Sequence, residues 1–277
     1  MDIDTIDSME EGGDVDGLIA ALNPREDMIT GYAVEALGRL ADPRSVDALV
    51  SLLGKSDYFQ RHGRSLGTGT GQYQGSVIEA LESIGAPAVP KLLAEFQSNK
   101  SARELVAQIL GRIRDPQAVE VLSQYLSDAQ NAILDAPNVP FLVTEALANI
   151  GHPSCVAPLL RVLTEVPLGS KLSHVVTEGL DKAGWDPQSE IHQVYYWIMK
   201  GQLENCVKMG STAVAYLLSA LERAGTSERI GIIEALGEIR DERAVDALIE
   251  QRNKETSHPD AVDAINDALV KIGKRIV

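Results

Sequence analysis

The sequence predicts an all-α protein, an α-α superhelix (α-solenoid) of about seven or eight helical hairpins. Three observations carry this prediction: an apolar stripe that recurs with helical spacing, two distant stretches that are nearly identical, and an aliphatic composition. Apolar residues make up 44% of the 277 residues, while aromatic residues make up only 4%. A core built from Leu, Val, Ile and Ala suits close packing of helices on helices.

The apolar stripe is the strongest of the three signals. Val46, Leu49, Val50 and Leu53 stand at positions i, i+3, i+4 and i+7, which form one face of an α-helix. Such stripes begin at Val15, Val46, Val89, Val119, Val156, Ile191, Val214 and Val245. Their starts lie 31, 43, 30, 37, 35, 23 and 31 residues apart, which indicates a base period near 31 with insertions.

A second helix precedes most stripes and completes each repeat. The stretches VEALGRLADPRSVDAL (34–49) and IEALGEIRDERAVDAL (233–248) are identical at ten of sixteen positions, although they lie 199 residues apart. Between the two helices, Asp42-Pro43 predicts a capping carboxylate followed by a proline at the first helical position. An isolated pair of short helices cannot bury both its faces, so each hairpin is expected to stack on its neighbours.

The turn signal varies among the repeats, and glycines recur in the helices before it. Asp115-Pro116 repeats the Asp-Pro signal, Asp241 keeps the cap alone, and His152-Pro153 keeps the proline without the usual cap, as Ala86-Pro87 also does. Glycine inside a helix costs about 1 kcal/mol relative to Ala. We therefore expect close approach of the adjoining helix at the three recurring glycines, which are Gly38, Gly111 and Gly237.

The repeats resemble HEAT-like (armadillo-type) repeats of the phycobilisome (PBS) lyase type. The residues that carry the resemblance are ALGRLADPRSVDAL, QILGRIRDPQAVEVL, ALANIGHPSCVAPLL and ALGEIRDERAVDAL. The resemblance implies a single solenoid over residues 15–277, after an acidic leader at 1–14. It says less about function, because that family includes bilin lyases, a di-iron hydroxylase, DNA-repair relatives and many scaffolds.

The net charge limits the kinds of partner that the chain can bind, and other features of the sequence indicate its location. With 25 basic and 40 acidic residues the net charge is −15, which disfavours nucleic acid and anionic lipid and favours a protein partner with a basic or neutral contact surface. No apolar run is long enough to span a membrane, and the start of the chain is unlike a secretory signal. Cys155 and Cys206 fit no CxxC spacing, so we expect reduced thiols and a cytoplasmic protein.

The insertion at 54–76 is the segment from which we predict a partner contact. It is basic and aromatic on an otherwise acidic chain, and long loops in compact folds are often functional. The predicted contact residues are Tyr58, Phe59, Arg61, His62, Arg64 and Tyr73. A solvated loop is the alternative interpretation. The match of residues 63–67 to G-x-S-x-G is set aside, because that motif needs a strand before it.

Two further irregular segments interrupt the repeats. The insertion at 127–140 reads as a loop with a short apolar anchor. The segment at 183–210 is rich in aromatic residues and leaves room only for a shortened helix, about QLENCVKM, before the stripe at Val214. Tyr195 falls on the buried stripe, so we expect it to pack in the core. As an alternative, His192 and a ring not used in packing form a small pocket.

The sequence offers no catalytic or metal site. The di-iron hydroxylase that the repeats resemble holds iron on consecutive His-Glu pairs, and none of the five histidines here is followed by Glu. Carboxylates that recur with the repeat period read as solvated helix faces. We expect no cofactor, and binding rather than catalysis, with a bilin lyase-like or chromophore-chaperone activity as the alternative.

We therefore expect a scaffold or adaptor that binds a protein along the concave surface lined by the second helices of the hairpins. The last helix, PDAVDAINDALVKIG (259–273), keeps an apolar stripe with no following repeat to cover it. That stripe either packs inward only or forms a homodimer surface.

Overall fold

The computed structural model describes residues 2–23, 27–53, 72–128, 138–254 and 259–273, with side chains throughout except at 27 and 72–74. These residues form α-helices and short 3-10 turns with no β-strand, and one isolated bridge pairs Leu168 with Ala224. The predicted all-α solenoid class is confirmed. The helices fall into two compact units, residues 1–150 and 151–277.

Unit 1 contains two layers of helices. The first layer is made of α1 (Ile3–Glu11), α3 (Asp27–Leu40), α5 (Gln72–Ile84), α7 (Arg103–Ile113) and α9 (Val139–Ile150). The second layer is made of α2 (Val15–Ala20), α4 (Val46–Leu53), α6 (Val89–Ser98) and α8 (Val119–Ser127). Successive first helices pack side by side, and each also contacts a second helix. Residues 3–11, within the predicted acidic leader, form α1, whose buried Ile6 joins the core beside α3.

Unit 2 repeats this arrangement with an irregular start. It comprises α10 (Val156–Glu165), α11 (Lys171–Lys182), α12 (Glu190–Met199), α13 (Leu203–Met209), α14 (Val214–Leu221), α15 (Thr226–Ile239), α16 (Val245–Lys254) and α17 (Pro259–Ile272). The short α13 lies where the shortened helix was predicted. Whether the two units form the single solenoid predicted for residues 15–277 stays a prediction.

The stripes predicted from the sequence begin where the second helices begin. Seven of the eight helices start at the first residue of the stripe, and α12 starts one residue earlier, at Glu190. The capping prediction is corrected in one respect. The prolines of the turns do not open the second α-helix but a 3-10 turn before it, such as Pro43–Ser45. The Asp42 carboxylate still caps, because it accepts a hydrogen bond from the backbone N–H of Arg44 at 2.9 Å.

Close helix packing at the recurring glycines is confirmed. A Cβ added at Gly38 would lie 2.9 Å from Cα of Ala80 on the next first helix. At Gly111 the distance to Cα of Ala146 would be 2.8 Å, and at Gly237 the distance to Cα of Ala268 would also be 2.8 Å. A Cβ atom does not lie this close to a carbon of a neighbouring helix in a folded protein. Only glycine at these positions therefore lets the helices approach so closely. The closest pairs of first helices are α3 with α5, α7 with α9, and α15 with α17.

The hairpins that follow one another in these pairs are of two kinds. The first helix of one kind contains the packing glycine and ends at a residue other than glycine with positive φ: Ala41 (51°), Arg114 (58°) and Arg240 (58°). The first helix of the other kind contains the facing alanine and is followed by a glycine with positive φ: Gly85 (73°), Gly151 (61°) and Gly273 (95°). Within these three pairs, the repeating unit is therefore two hairpins rather than one, whereas α11 and α13 are both followed by a glycine with positive φ.

Part of the apolar stripe of the last helix packs inward. Ile265 and Leu269 of α17 are buried, and α17 contacts α15 and α16. Its exposed side carries Asp263, Asp267 and Val270, the last of which is 62% exposed. Val262 and Ile272 of the same stripe are half-buried, so the inward-packing and homodimer alternatives both stay predictions.

Candidate functional site

The predicted contact residues of the insertion lie outside the part of the chain whose side chains are described. Tyr58, Phe59, Arg61, His62 and Arg64 fall in the undescribed range 54–71. Tyr73 lies in α5, but its side chain is not described. Their role as a contact surface stays a prediction. The residues 129–137 of the second insertion also lie outside the described ranges.

The second helices of unit 1 line an open groove between α6 and α8. Its walls include Phe96, Gln97, Glu120, Val121, Gln124, Tyr125 and Asp128, together with Arg103 at the start of α7. Phe96 and Tyr125 come from the facing sides of the two helices, and their rings meet edge to face with centroids 5.2 Å apart. Exposed polar side chains of Gln97, Glu120 and Gln124 surround this buried aromatic pair.

Arg103 is held beneath the groove by polar and aromatic contacts. Its Nε donates a hydrogen bond to the backbone carbonyl of Phe96 at 2.8 Å, and its guanidinium lies 5.7 Å from the Phe96 ring centroid and 5.5 Å from that of Tyr125. The cation therefore satisfies carbonyls at the C-terminal end of α6, where the helix dipole favours positive charge. Arg103 was not predicted from the sequence. The available signal was the position of Arg103, seven residues after Phe96 near the end of a predicted helix.

Unit 2 contains an aromatic cluster in the segment that the sequence marked as irregular. The Trp185 ring meets Tyr196 with centroids 5.5 Å apart and His192 with centroids 6.1 Å apart, both edge to face. Tyr195 is buried in the core as predicted, and His192 does lie beside a ring that the core does not use. Partial burial lowers the pKa of His192, which favours the neutral imidazole.

A carboxylate joins this cluster to α11. Asp181 accepts hydrogen bonds from the Tyr196 hydroxyl and from Nζ of Lys200, which lies 5.9 Å from the Tyr196 ring centroid. Burial and the neighbouring Asp181 raise the pKa of Tyr196 to about 12. The phenol therefore stays protonated at neutral pH, and the arrangement fixes α12 on α11 rather than supplying a base.

The described residues offer no metal site and no reactive thiol. No group of three or more His, Cys, Asp or Glu side chains in the described ranges is arranged to hold a metal ion. His152 uses its Nδ1 to accept from the Ser154 backbone N–H at 3.2 Å, so it caps a turn in place of the usual aspartate. Cys155 and Cys206 are buried free thiols, and burial raises the pKa of Cys206 to about 11. Thiols of this kind are poor nucleophiles.

Helical hairpins that stack in repeats define a helical repeat protein. Residues 31–55, 102–128 and 228–251 match the family described as PBS lyase HEAT-like repeat. These three segments are therefore PBS lyase HEAT-like repeats, as was expected from the sequence. No helix in the described ranges is long and apolar enough to cross a membrane.

Comparisons with individual proteins add little to this assignment. The chain is similar to a structure of the complex of CpcE and CpcF of phycocyanin lyase from Nostoc sp. PCC7120, with 21% identity, coverage of 92% of this chain and 93% of that chain, and a TM-score of 0.42. It is also similar to human deoxyhypusine hydroxylase in complex with glycerol, with 19% identity, coverage of 97% and 99%, and a TM-score of 0.40. A comparison with curated proteins found no match. At these values neither structure informs the activity.

Proposed function

We propose that this protein is a scaffold or adaptor that binds another protein along the surface lined by its second helices. The observation that carries the proposal is a row of carboxylates in unit 1. Asp16, Asp47 and Glu120 are each the second residue of a second helix, and all three are exposed, with Arg44 3.4 Å from Asp16 and Lys91 2.8 Å from Asp47. The second helix α6 has Pro90 at the same position, so the three carboxylates do not lie on successive helices. Exposed carboxylates repeated in this way favour a partner that presents several basic side chains.

The groove between α6 and α8 offers a concave surface for a partner side chain, which the exposed carboxylates alone do not. Its aromatic pair is rigid, because Arg103 contacts both rings and a backbone carbonyl. A partner side chain that enters the groove would meet Val121 and Gln124 on one wall. The acidic row contributes mainly to association rate and orientation, whereas contacts in the groove contribute to residence time.

The proposal is tested by capturing partners with the full chain, identifying them by mass spectrometry and repeating the binding measurement with purified components. We expect the variant Asp16→Lys/Asp47→Lys/Glu120→Lys to weaken binding at least about tenfold, since each reversed charge at an interface costs on the order of 1 kcal/mol or more. The matched control is Asp260→Lys/Asp263→Lys/Asp267→Lys on α17, where three exposed carboxylates are reversed outside the proposed surface. Equal losses in both variants would contradict the proposal.

The insertion at 54–76 is tested in the same assay. If Arg61 and Arg64 contribute to the contact, Arg61→Glu/Arg64→Glu lowers the affinity for the purified partner. Unchanged binding would show that the insertion is not part of the contact, and it would leave the second-helix surface to be judged by its own variant.

A cofactor or chromophore chaperone resembling a bilin lyase is the second proposal. The match of three segments to the PBS lyase HEAT-like repeat is the observation that favours it. A visible absorption band in the purified protein, or one acquired with added bilin, would support this second function. A colourless protein that binds its purified partner with no such band would leave the scaffold as the function.

A further inference from the structure

We propose that the first helices α1, α3 and α5 form a second docking surface, which binds a basic amphipathic segment of another protein. This face lies in unit 1 and differs from the surface of second helices treated above. The inference rests on the proposed function only in taking the chain to be a protein-binding repeat. Its basis is an exposed apolar pair set at one end of an acidic ridge.

The apolar pair is Met28 and Tyr32. In the described ranges they are two of the three large hydrophobic side chains that are exposed, at 69% and 38% of their surface. They stand four residues apart on α3 and therefore share one face of that helix. Met and Tyr are enriched in protein interfaces because the first adapts its shape and the second joins a rigid ring to a polar hydroxyl.

The same face of α3 continues as a polar ridge. Glu35 and Arg39 follow Tyr32 at helical spacing, and both are exposed. From Met28 to Arg39 the ridge runs three turns, or about 16 Å. A partner helix of four turns is long enough to cover it.

Two open grooves flank this ridge, and carboxylates dominate both. The groove between α1 and α3 is lined by Asp7, Glu10, Glu11, Arg39 and Leu40. The groove between α3 and α5 is lined by Glu35, Gly38, Arg39, Ser76, Glu79, Ala80 and Ser83. The two linings together hold five carboxylates and one basic side chain.

The one basic side chain, Arg39, does not neutralise the negative charge that an incoming partner would meet. Arg39 forms a two-pronged ion pair with Glu10, and its Nη1 lies 3.9 Å from Glu35. The Arg39 guanidinium lowers the pKa of Glu10, as expected for a carboxylate that stays ionised. Asp7, Glu11 and Glu79 remain exposed around the pair, which leaves the ridge with an excess of negative charge.

The occupant follows from this distribution. A segment with two apolar side chains at one end covers Met28 and Tyr32, and Lys or Arg side chains one to two turns further along meet the carboxylates of the grooves. The apolar end lies at the N-terminal end of α3 and the basic end at its C-terminal end. A purely cationic segment leaves Met28 and Tyr32 uncovered, so amphipathicity distinguishes this site from general attraction to an acidic protein.

The test uses the full chain and a fluorescein-labelled peptide of sixteen residues, made of Leu and Lys in amphipathic helical order, with fluorescence anisotropy as the readout. A second peptide with Glu in place of Lys is the charge control. We expect the Lys peptide to bind, the Glu peptide not to bind, and the affinity of the first to fall between 50 and 300 mM salt.

The variants separate this face from other acidic surfaces. Met28→Ser/Tyr32→Ser is expected to weaken peptide binding about tenfold, and Met28→Ser alone about threefold, with circular dichroism unchanged because Met28 is exposed. Glu35→Gln/Glu79→Gln is expected to weaken it by a similar factor. The matched controls on α17, Val270→Ser and Asp263→Asn/Asp267→Asn, are expected to change it less than twofold.

Several results would overturn the inference. Equal losses with the α3 and α17 variants would show attraction to acidic charge in general. A dimer in light scattering that Met28→Ser dissolves would make a second copy of the chain the occupant. Unchanged peptide binding in Met28→Ser/Tyr32→Ser, together with intact binding of the purified partner, would reject this face and leave the scaffold function standing.

Discussion

Unit 1 and the irregular start of unit 2 hold neighbouring helices together in different ways. In unit 1, α3 packs on α5 and α7 on α9 because glycine removes a side chain at each crossing. In unit 2, the loop at 166–170 and the loop at 222–225 instead form backbone hydrogen bonds with each other, and we call this pair of loops the clasp. The Leu168 N–H donates to the Arg223 carbonyl at 3.0 Å, and the Gly225 N–H donates to the Leu168 carbonyl at 2.9 Å.

The clasp in unit 2 is stabilised by polar side chains, and Arg223 acts there much as Arg103 acts at the end of α6 in unit 1. The Arg223 guanidinium donates to the carbonyls of Leu163 and Val166 and lies 5.3 Å from the Tyr195 ring centroid. Gly169, with φ of 80°, leaves room for the Glu228 carboxylate, which a Cβ there would meet. In the regular repeats, helices pack closely where glycine lacks a side chain. In the shortened segment, hydrogen bonds and a cation–π contact hold the elements together. We therefore expect different kinds of substitution to destabilise the two regions.

The largest expected effect is at a glycine crossing in unit 1. Gly111→Ala places a Cβ 2.8 Å from Cα of Ala146, a backbone atom that cannot move without shifting α9. Overpacking costs about 1–3 kcal/mol, and contact with a backbone atom puts this cost near the upper end of the range. About 1 kcal/mol of helix propensity is gained in return. We expect a net loss of about 2 kcal/mol in the free energy of unfolding, measured with urea.

Gly75→Ala is the control for that substitution. Gly75 lies in α5 with nothing within 4 Å of an added Cβ, so the same change is expected to stabilise by up to about 1 kcal/mol. Loss of stability at both glycines would show that close packing is not the cause.

The clasp of unit 2 is tested at Arg223. Arg223→Met keeps much of the apolar stem but removes the hydrogen bonds to two carbonyls and the cation above Tyr195. We expect a loss of about 2 kcal/mol in unfolding free energy. Arg112→Met is the matched control, because Arg112 is exposed and its pair with Glu82, at 3.3 Å, is expected to contribute less than about 0.5 kcal/mol. Equal effects would mean that the clasp contributes no more than a surface ion pair.

The pH dependence of stability is expected to differ at the buried thiol of α13. The pKa of Cys206 is raised to about 11 in the folded state, above the usual value near 9. A group with a raised folded pKa contributes stability that is present below the unfolded pKa and is lost as pH rises toward the folded pKa. Between pH 8 and 10 the wild type should lose about 1 kcal/mol more than Cys206→Ala, in urea unfolding at each pH. Parallel pH curves would contradict burial of the thiol as the cause.

The smallest expected effect is a gain in unit 1. Arg114 ends α7 with φ of 58°, a conformation that side chains other than glycine adopt at a cost, and its side chain is exposed. Arg114→Gly is expected to raise the free energy of unfolding by about 0.5–1 kcal/mol. An equal gain is expected at Arg240 in unit 2, since φ there is also 58°. Destabilisation at both sites would mean that the arginine side chains make contacts that offset the strain.

The regular part of the fold was predictable because it rests on spacing. The stripe at Val46 and the glycine at Gly38 both follow from a helix that repeats every 3.6 residues against a neighbour of the same kind. The clasp was not predictable, because Leu168 and Arg223 meet across more than fifty residues through backbone groups that every residue carries. The groove between α6 and α8 was not predicted for the same reason, because Arg103 donates to a backbone carbonyl and not to a side chain that a sequence pattern would reveal. The predicted aromatic segment at 183–210 was recognisable from composition, but its partner Asp181 was not.

The two kinds of hairpin set the step by which such an array can be lengthened or shortened. A glycine helix needs an alanine helix after it, because Gly111 fits only against a small residue such as Ala146. Inserting one hairpin would bring two helices of the same kind together, either with an empty gap or with colliding side chains. Gene duplication or protein engineering that adds whole doublets keeps every junction matched, so we expect viable arrays to differ by even numbers of hairpins.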